Sequence, residues 1–99
     1  MYRYLLTEKA INDLTKIWNY TFDTWSENQA DKYYNELINF FEYLAKNPKK
    51  GNNYNTLIPN LKGAKINRHI IFYREISKSM IEIERVLHEQ MDLKKRLEK

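Results

Sequence analysis

The side chains able to do chemistry in this sequence gather in its second half, where Arg68, Arg74 and Arg85 are interleaved with His69, His88 and Tyr73. These types suit cleavage of RNA through its own 2′-hydroxyl, which needs a base for that proton, cations for the phosphorane charge and an acid for the leaving oxygen. In that scheme His88 or Tyr73 moves the proton, and Arg68 and Arg85 hold the charge. Regular strands argue against it, because side chains alternate between faces. Arg68 falls in phase with Ile70 and Phe72, His69 with Ile71 and Tyr73, and Arg85 with Ile83, whereas His88 does not. A β-bulge would alter these phases, but none is legible, so the balance favours structural or binding roles over catalysis. Two histidines with no cysteine and no HExxH spacing match no ligand pattern, so neither a metal nor a cofactor is expected.

An α+β set of elements must position these groups. Tyr2 to Leu6 reads as an opening strand, Thr7 as a helix N-cap and Glu8 as a first-turn acid suited to the helix dipole. Ile11, Leu14, Trp18, Phe22 and Trp25 recur at three and four, with Ala10, Ile17 and Thr21 alongside, which predicts a helix over about residues 8–25 with this face toward the core. Trp25, at the tip, is the one aromatic of that stripe with a case for exposure. Ser26-Glu27-Asn28-Gln29 has the capping-box pattern and opens a second helix with Ala30, Tyr34, Leu37, Phe41 and Leu44 inward, ended by Asn47-Pro48 and Gly51. So short a connection forces an antiparallel helix hairpin. Residues 48–62 read as a surface connection with one helical turn near Tyr54 to Ile58.

Strand signals return at Ala64 to Asn67, His69 to Ile76 and Met80 to Leu87, forming a three-stranded antiparallel meander packed on the hairpin, with the N-terminal strand at its edge. Ile70 to Tyr73 is apolar in both phases, as a central strand covered on each side should be. Met91 to Leu97 is either a last helical turn or a fraying end. Tyr33 and Tyr34 either line a groove for a partner helix or cap a small core with their hydroxyls in water.

Ninety-nine residues allow one domain, 1–99, and a 42% hydrophobic content is enough to bury a core. The absence of cysteine fits a reducing cytosol. The N-terminus lacks a signal-peptide core and no apolar run is long enough to span a bilayer, so a cytoplasmic protein is expected. Charge is unevenly divided: residues 1–44 hold four Lys and Arg against seven Asp and Glu, while residues 45–99 hold thirteen against six. The resulting balances of −3 and +7 favour an anionic partner for the second half.

Three stretches carry a family resemblance. The opening Tyr2…Leu5-x-Thr7-x-x-Ala10-x-x-Asp13-Leu14-x-x-Ile17-Trp18-x-Tyr20 is followed by Ala30-x-x-Tyr33…Leu37 with Leu44-Ala45-x-Asn47-Pro48. Then come Arg68-His69-Ile70-Ile71-Phe72-Tyr73-Arg74 and Ile81-Glu82-Ile83-x-Arg85-Val86-Leu87-His88-x-x-Met91-Asp92. In this order they resemble the ParE-like branch of the RelE/ParE toxin superfamily. The departure is Gly51 to Ile58, richer in Asn than the family pattern.

The resemblance implies the toxin of a type II toxin–antitoxin pair, which inhibits DNA gyrase by binding rather than by chemistry of its own. It also implies a hetero-oligomer in which an antitoxin's acidic C-terminal segment wraps the toxin, setting a helix on the hairpin and an extended stretch beside the sheet. On this reading Tyr33, Tyr34, Arg68, Arg74 and Arg85 are antitoxin contacts, and Trp25, Lys94, Lys95 and Arg96 are gyrase candidates. No membrane partner is expected, nor sequence-specific nucleic-acid binding by the toxin alone. The alternatives are a RelE-like, ribosome-dependent messenger-RNA endoribonuclease using Arg68, Tyr73, Arg85 and His88, and an inactive toxin-fold binding partner.

Overall fold

A computed structural model describes residues 2–97; positions 1, 98 and 99 of the expected 1–99 domain lie outside the described residues. In chain order the elements are β1 (Arg3–Leu6), α1 (Glu8–Thr24), α2 (Glu27–Lys46), a 3-10 turn (Pro48–Lys50), β2 (Asn52–Asn53), β3 (Lys62–Ile66), β4 (His69–Ser77), β5 (Met80–His88) and α3 (Leu93–Leu97). They form the α+β fold anticipated from the sequence. The sheet order is β1-β5-β4-β3-β2: β3, β4 and β5 make the antiparallel meander, and β1 lies parallel to β5. No helix among the described residues is long and apolar enough to cross a membrane.

Both helix starts follow their capping residues. The Thr7 hydroxyl accepts the Ala10 N–H, and the Ser26 hydroxyl accepts the Gln29 N–H at 3.0 Å, so each first turn has one orphan donor satisfied. Leu37, Phe41 and Leu44 of α2 pack with Ile71, Tyr73, Ile81 and Ile83 on the hairpin side of the sheet. The hairpin thus buries α2 deeply.

Two expectations change in detail, and one open reading is decided. Of the predicted face of α1, Ala10, Leu14 and Thr21 are buried together with Asp13, and Ile17 packs against the core, whereas Ile11 and Phe22 are exposed, as is Trp25 at the tip. The side of α1 that meets the sheet lies toward Ala10 and Asp13, where Arg85 and Val86 of β5 hold the Asp13 carboxylate, so Ile11 and Phe22 fall on its flank. Second, the connection contains a fifth strand, β2, and is organised by its asparagines. The Asn53 and Asn55 side chains accept the N–H groups of Asn55 and Asn60, both at 2.7 Å, so the Asn-rich stretch is a self-bonded loop. Third, the far side of the sheet has its own core, in which Leu61, Leu97, Leu57 and Leu93 cover Ile70, Phe72 and Leu87. The C-terminal segment is therefore a last helical turn docked on the sheet, and β4 is covered on both sides, as its apolar run in both phases predicts. At Gly63 this cover comes close: a Cβ there would sit 2.5 Å from the Tyr54 ring.

Candidate functional site

The phases expected of β5 are changed by a bulge. Arg85 lies opposite Phe72 but Ile83 lies opposite Tyr73, so Glu84 is an extra residue without a partner on β4. Helix α1 takes up the groups left over: the Thr7 hydroxyl donates to the Glu84 carbonyl at 2.8 Å, and Asp13 accepts the Val86 N–H at 3.0 Å. Asp13 also receives Arg85 Nε at 2.8 Å and Nη2 at 3.0 Å, while Arg85 Nη1 donates to the Arg96 carbonyl at 3.0 Å. The hydrogen bond to Asp13 raises the Arg85 pKa further above its ordinary value. Beyond the bulge, Val86 packs on the hairpin side with Ile83, and Leu87 on the far side. His88 therefore shares the face of Ile83, and Arg85 does not, the reverse of what a regular strand predicts.

The residues proposed for RNA chemistry do not converge. Tyr73 is fully buried, and its hydroxyl accepts the Gly51 N–H at 2.9 Å and donates to the Pro48 carbonyl at 2.8 Å. It anchors the end of α2 instead of facing solvent, and burial pushes its pKa up. Arg85 is committed to Asp13. Exposed Arg68, in the β3–β4 turn, lies 3.8 Å from Glu89. Arg74 pairs with Glu84 at 3.2 Å and with Glu82 at 3.6 Å. The three arginines proposed as antitoxin contacts thus each face a carboxylate of the chain itself.

His88 stands directly across from His69, their rings edge to face at 5.5 Å. The Tyr33 hydroxyl meets His69 Nδ1 at 2.7 Å, tying α2 to the end of the sheet. Burial, then His88, lowers the His69 pKa. Tyr33 is thus a strut between layers, whereas its neighbour Tyr34 is exposed. Among the described residues no three His, Cys, Asp or Glu side chains are grouped to hold a metal ion.

What the structure does assemble is an apolar groove in which Ile11, Leu14 and Trp18 come from the face that sequence patterning had turned toward the core, and Tyr34 takes the groove-lining place that was one of its two readings. Leu6, Ile11, Leu14, Thr15, Trp18 and Tyr34 line a cavity of about 270 Å³ between β1, α1 and α2. Trp18 is held there by its indole N–H, which donates to Asp31 at 3.0 Å, and by stacking on Phe22 at 5.2 Å. The groove meets the outer edge of the sheet at Leu6, the last residue of β1. The Arg3 and Thr7 N–H groups bond Ser79 and Ile83 of the neighbouring strand and turn, and strand alternation turns those of Tyr4 and Leu6 away from β5. A second cavity of about 310 Å³, lined by Tyr2, Arg3, Tyr4, Glu42 and Lys46, lies at the other end of that edge. Trp25 stands at the hairpin tip, and Lys94, Lys95 and Arg96 are exposed on α3. The tip and the α3 cations belong to different elements.

The family described as "ParE toxin of type II toxin-antitoxin system, parDE" matches residues 4–93. The chain belongs to this family. Toxin ParE1 of Mycobacterium tuberculosis H37Rv is 35% identical over 95 residues, covering 96% of this chain and 97% of that protein. Toxin ParE1 of Caulobacter vibrioides is 33% identical over 94 residues, covering 95% and 96%. Toxin ParE of Escherichia coli is 31% identical over 97 residues, covering 98% and 94%. A chain of the structure "Chromosomal ParDE TA system from P. aeruginosa" superposes with a TM-score of 0.75 at 18% identity, covering 89% of this chain and 96% of that one, and so shares the fold. The ParE match spans β1 to the start of α3, so the groove, the Asp13–Arg85 pair and the β5 bulge all lie within it. The protein is a ParE-type toxin of a type II toxin–antitoxin system, and membership implies an antitoxin partner.

Proposed function

We propose that this toxin arrests growth in the cytoplasm by binding DNA gyrase and trapping it on broken DNA, and that its antitoxin silences it by filling the groove beside β1. The carrying observation is the exposed apolar groove lined by Ile11, Trp18 and Tyr34, set beside a would-be catalytic group whose Tyr73 and Arg85 are committed to internal bonds. An amphipathic antitoxin helix would bury that face, and an extended segment would pair with the free edge of β1, two ordinary modes of peptide recognition. The cationic second half suits an acidic antitoxin tail.

The test mixes the purified toxin with gyrase, ATP and plasmid and quantifies linear DNA after detergent and protease. Accumulated linear DNA is the expected result. No effect at a dose that arrests cells would transfer the proposal to ribosome-dependent messenger-RNA cleavage, and no arrest on expression without antitoxin would leave an inactive binding partner.

A further inference from the structure

The hairpin extends past the sheet. Tyr33 touches His69, the first residue of β4, and Asp13 touches Val86, two residues from the end of β5. Ser26 is seven residues before Tyr33 and Trp25 twelve after Asp13, so at helical rise both anchors place the tip roughly 10 Å beyond the last strand pair. Exposure agrees: Tyr20 is 68%, Phe22 44% and Trp25 73% exposed, on more than one side of the last turns of α1. Residues 20–31 carry Asp23, Glu27 and Asp31 and no Lys or Arg, in a protein whose net charge is +4. Neither Asp23 nor Glu27 has an ion pair among the described residues.

We propose that this overhanging tip is the toxin's target-binding arm, and that its aromatic and acidic side chains fit a cationic groove on the target protein of the kind that otherwise holds DNA. A protruding arm can enter a groove that a flat surface cannot. Exposed Trp and Tyr give large contact areas at low entropic cost and stack on Arg guanidinium groups. Three carboxylates without a countercharge repel a nucleic-acid backbone and are attracted by the Lys and Arg side chains that normally bind one. The arm is distinct from the groove beside β1, so one molecule can offer separate surfaces to antitoxin and target. The inference rests on the gyrase reading for the name of the target, and not for the chemistry.

The experiment compares wild type with Trp25→Ala and Asp23→Lys, all confirmed folded by circular dichroism and thermal melts. It measures binding to immobilised gyrase at several salt concentrations and growth arrest on expression. Trp25→Ala is expected to weaken gyrase binding about tenfold or more and to abolish arrest. Asp23→Lys should weaken binding and reduce its salt dependence. Variants that bind gyrase and arrest growth like wild type would overturn the arm and leave the gyrase reading intact. If wild type arrests growth without binding gyrase, that reading falls, and the arm stands only if both variants lose arrest. A wild-type chain that neither arrests growth nor binds gyrase overturns both. Sedimentation velocity supplies the remaining arm: a wild-type dimer that Trp25→Ala converts to monomer would mean that a second copy covers the tip, and would also overturn the proposal.

Discussion

The Asp13 carboxylate receives three hydrogen bonds, two from Arg85 and one from the Val86 backbone, and both ion-pair side chains are largely buried. Removing one partner leaves the other charge unanswered, so Asp13→Asn should cost about 3 kcal/mol or more in urea unfolding. Asp13→Leu combined with Arg85→Met should cost much less than the two single changes added, since no buried charge is then left unanswered, the Val86 N–H alone is left buried without a partner, and the exposed Arg96 carbonyl can turn to water. Glu84 provides a pH test. Burial, then neighbouring Glu82, pushes its carboxyl up to about 6 against the pull of Arg74. An acid raised on folding binds protons more tightly in the folded state, so its contribution is intact in acid and lost as pH rises through 6. Glu84→Gln should remove that decline and stabilise the protein on the order of 1 kcal/mol at neutral pH, a figure discounted for solvent screening. Urea titrations across that pH range measure both.

At the scale of elements, α1 has two jobs on opposite sides. Its Ala10 and Leu14 pack into the core and its Thr7 and Asp13 hold the β5 bulge, while Ile11 and Trp18 line the open groove. Because Ile11 is half exposed, Ile11→Asp should leave the melting temperature within a few degrees of wild type. Placing a charge in the apolar groove should nevertheless weaken antitoxin binding by about 30-fold or more. Co-expression tests this: the variant should still arrest growth but no longer be rescued. Rescue as efficient as for wild type would place the antitoxin elsewhere.

For the molecule as a whole, charge is separated by distance as well as by sequence. The hairpin tip is acidic, whereas Lys94, Lys95 and Arg96 are exposed on α3. Arg68, Arg74 and Arg85 contribute less to the outer field than their number suggests, since Glu89, Glu82 with Glu84, and Asp13 face them. The α3 cations should therefore dominate steering of an acidic antitoxin. Reversing all three with Lys94→Glu, Lys95→Glu and Arg96→Glu should lower the association rate about tenfold at low salt, leave dissociation nearly unchanged and flatten the salt dependence in stopped-flow measurements. An unaltered rate and slope would mean that α3 is not on the encounter path.

The sequence by itself determined the order of the main elements from β1 through the helix hairpin to the meander, both N-caps and the short hairpin connection, though not β2, because capping, helical spacing and strand alternation are local and are written in neighbouring residues. It also determined the family, through patterns spread along the chain. Only the tertiary structure decided which side of α1 is buried. Periodicity places Ile11, Trp18 and Phe22 on one broad face with Ala10, Leu14, Ile17 and Thr21, but which part of that face meets the sheet depends on the residues packed against it from α2 and the strands. The β5 bulge was likewise invisible. An extra residue is tolerated there because Thr7 and Asp13, more than seventy positions away, satisfy the backbone groups it leaves unpaired. No reading of Ile83-Glu84-Arg85-Val86 alone contains those partners, so the fate of Arg85 and the facing of His88 were settled by long-range hydrogen bonds.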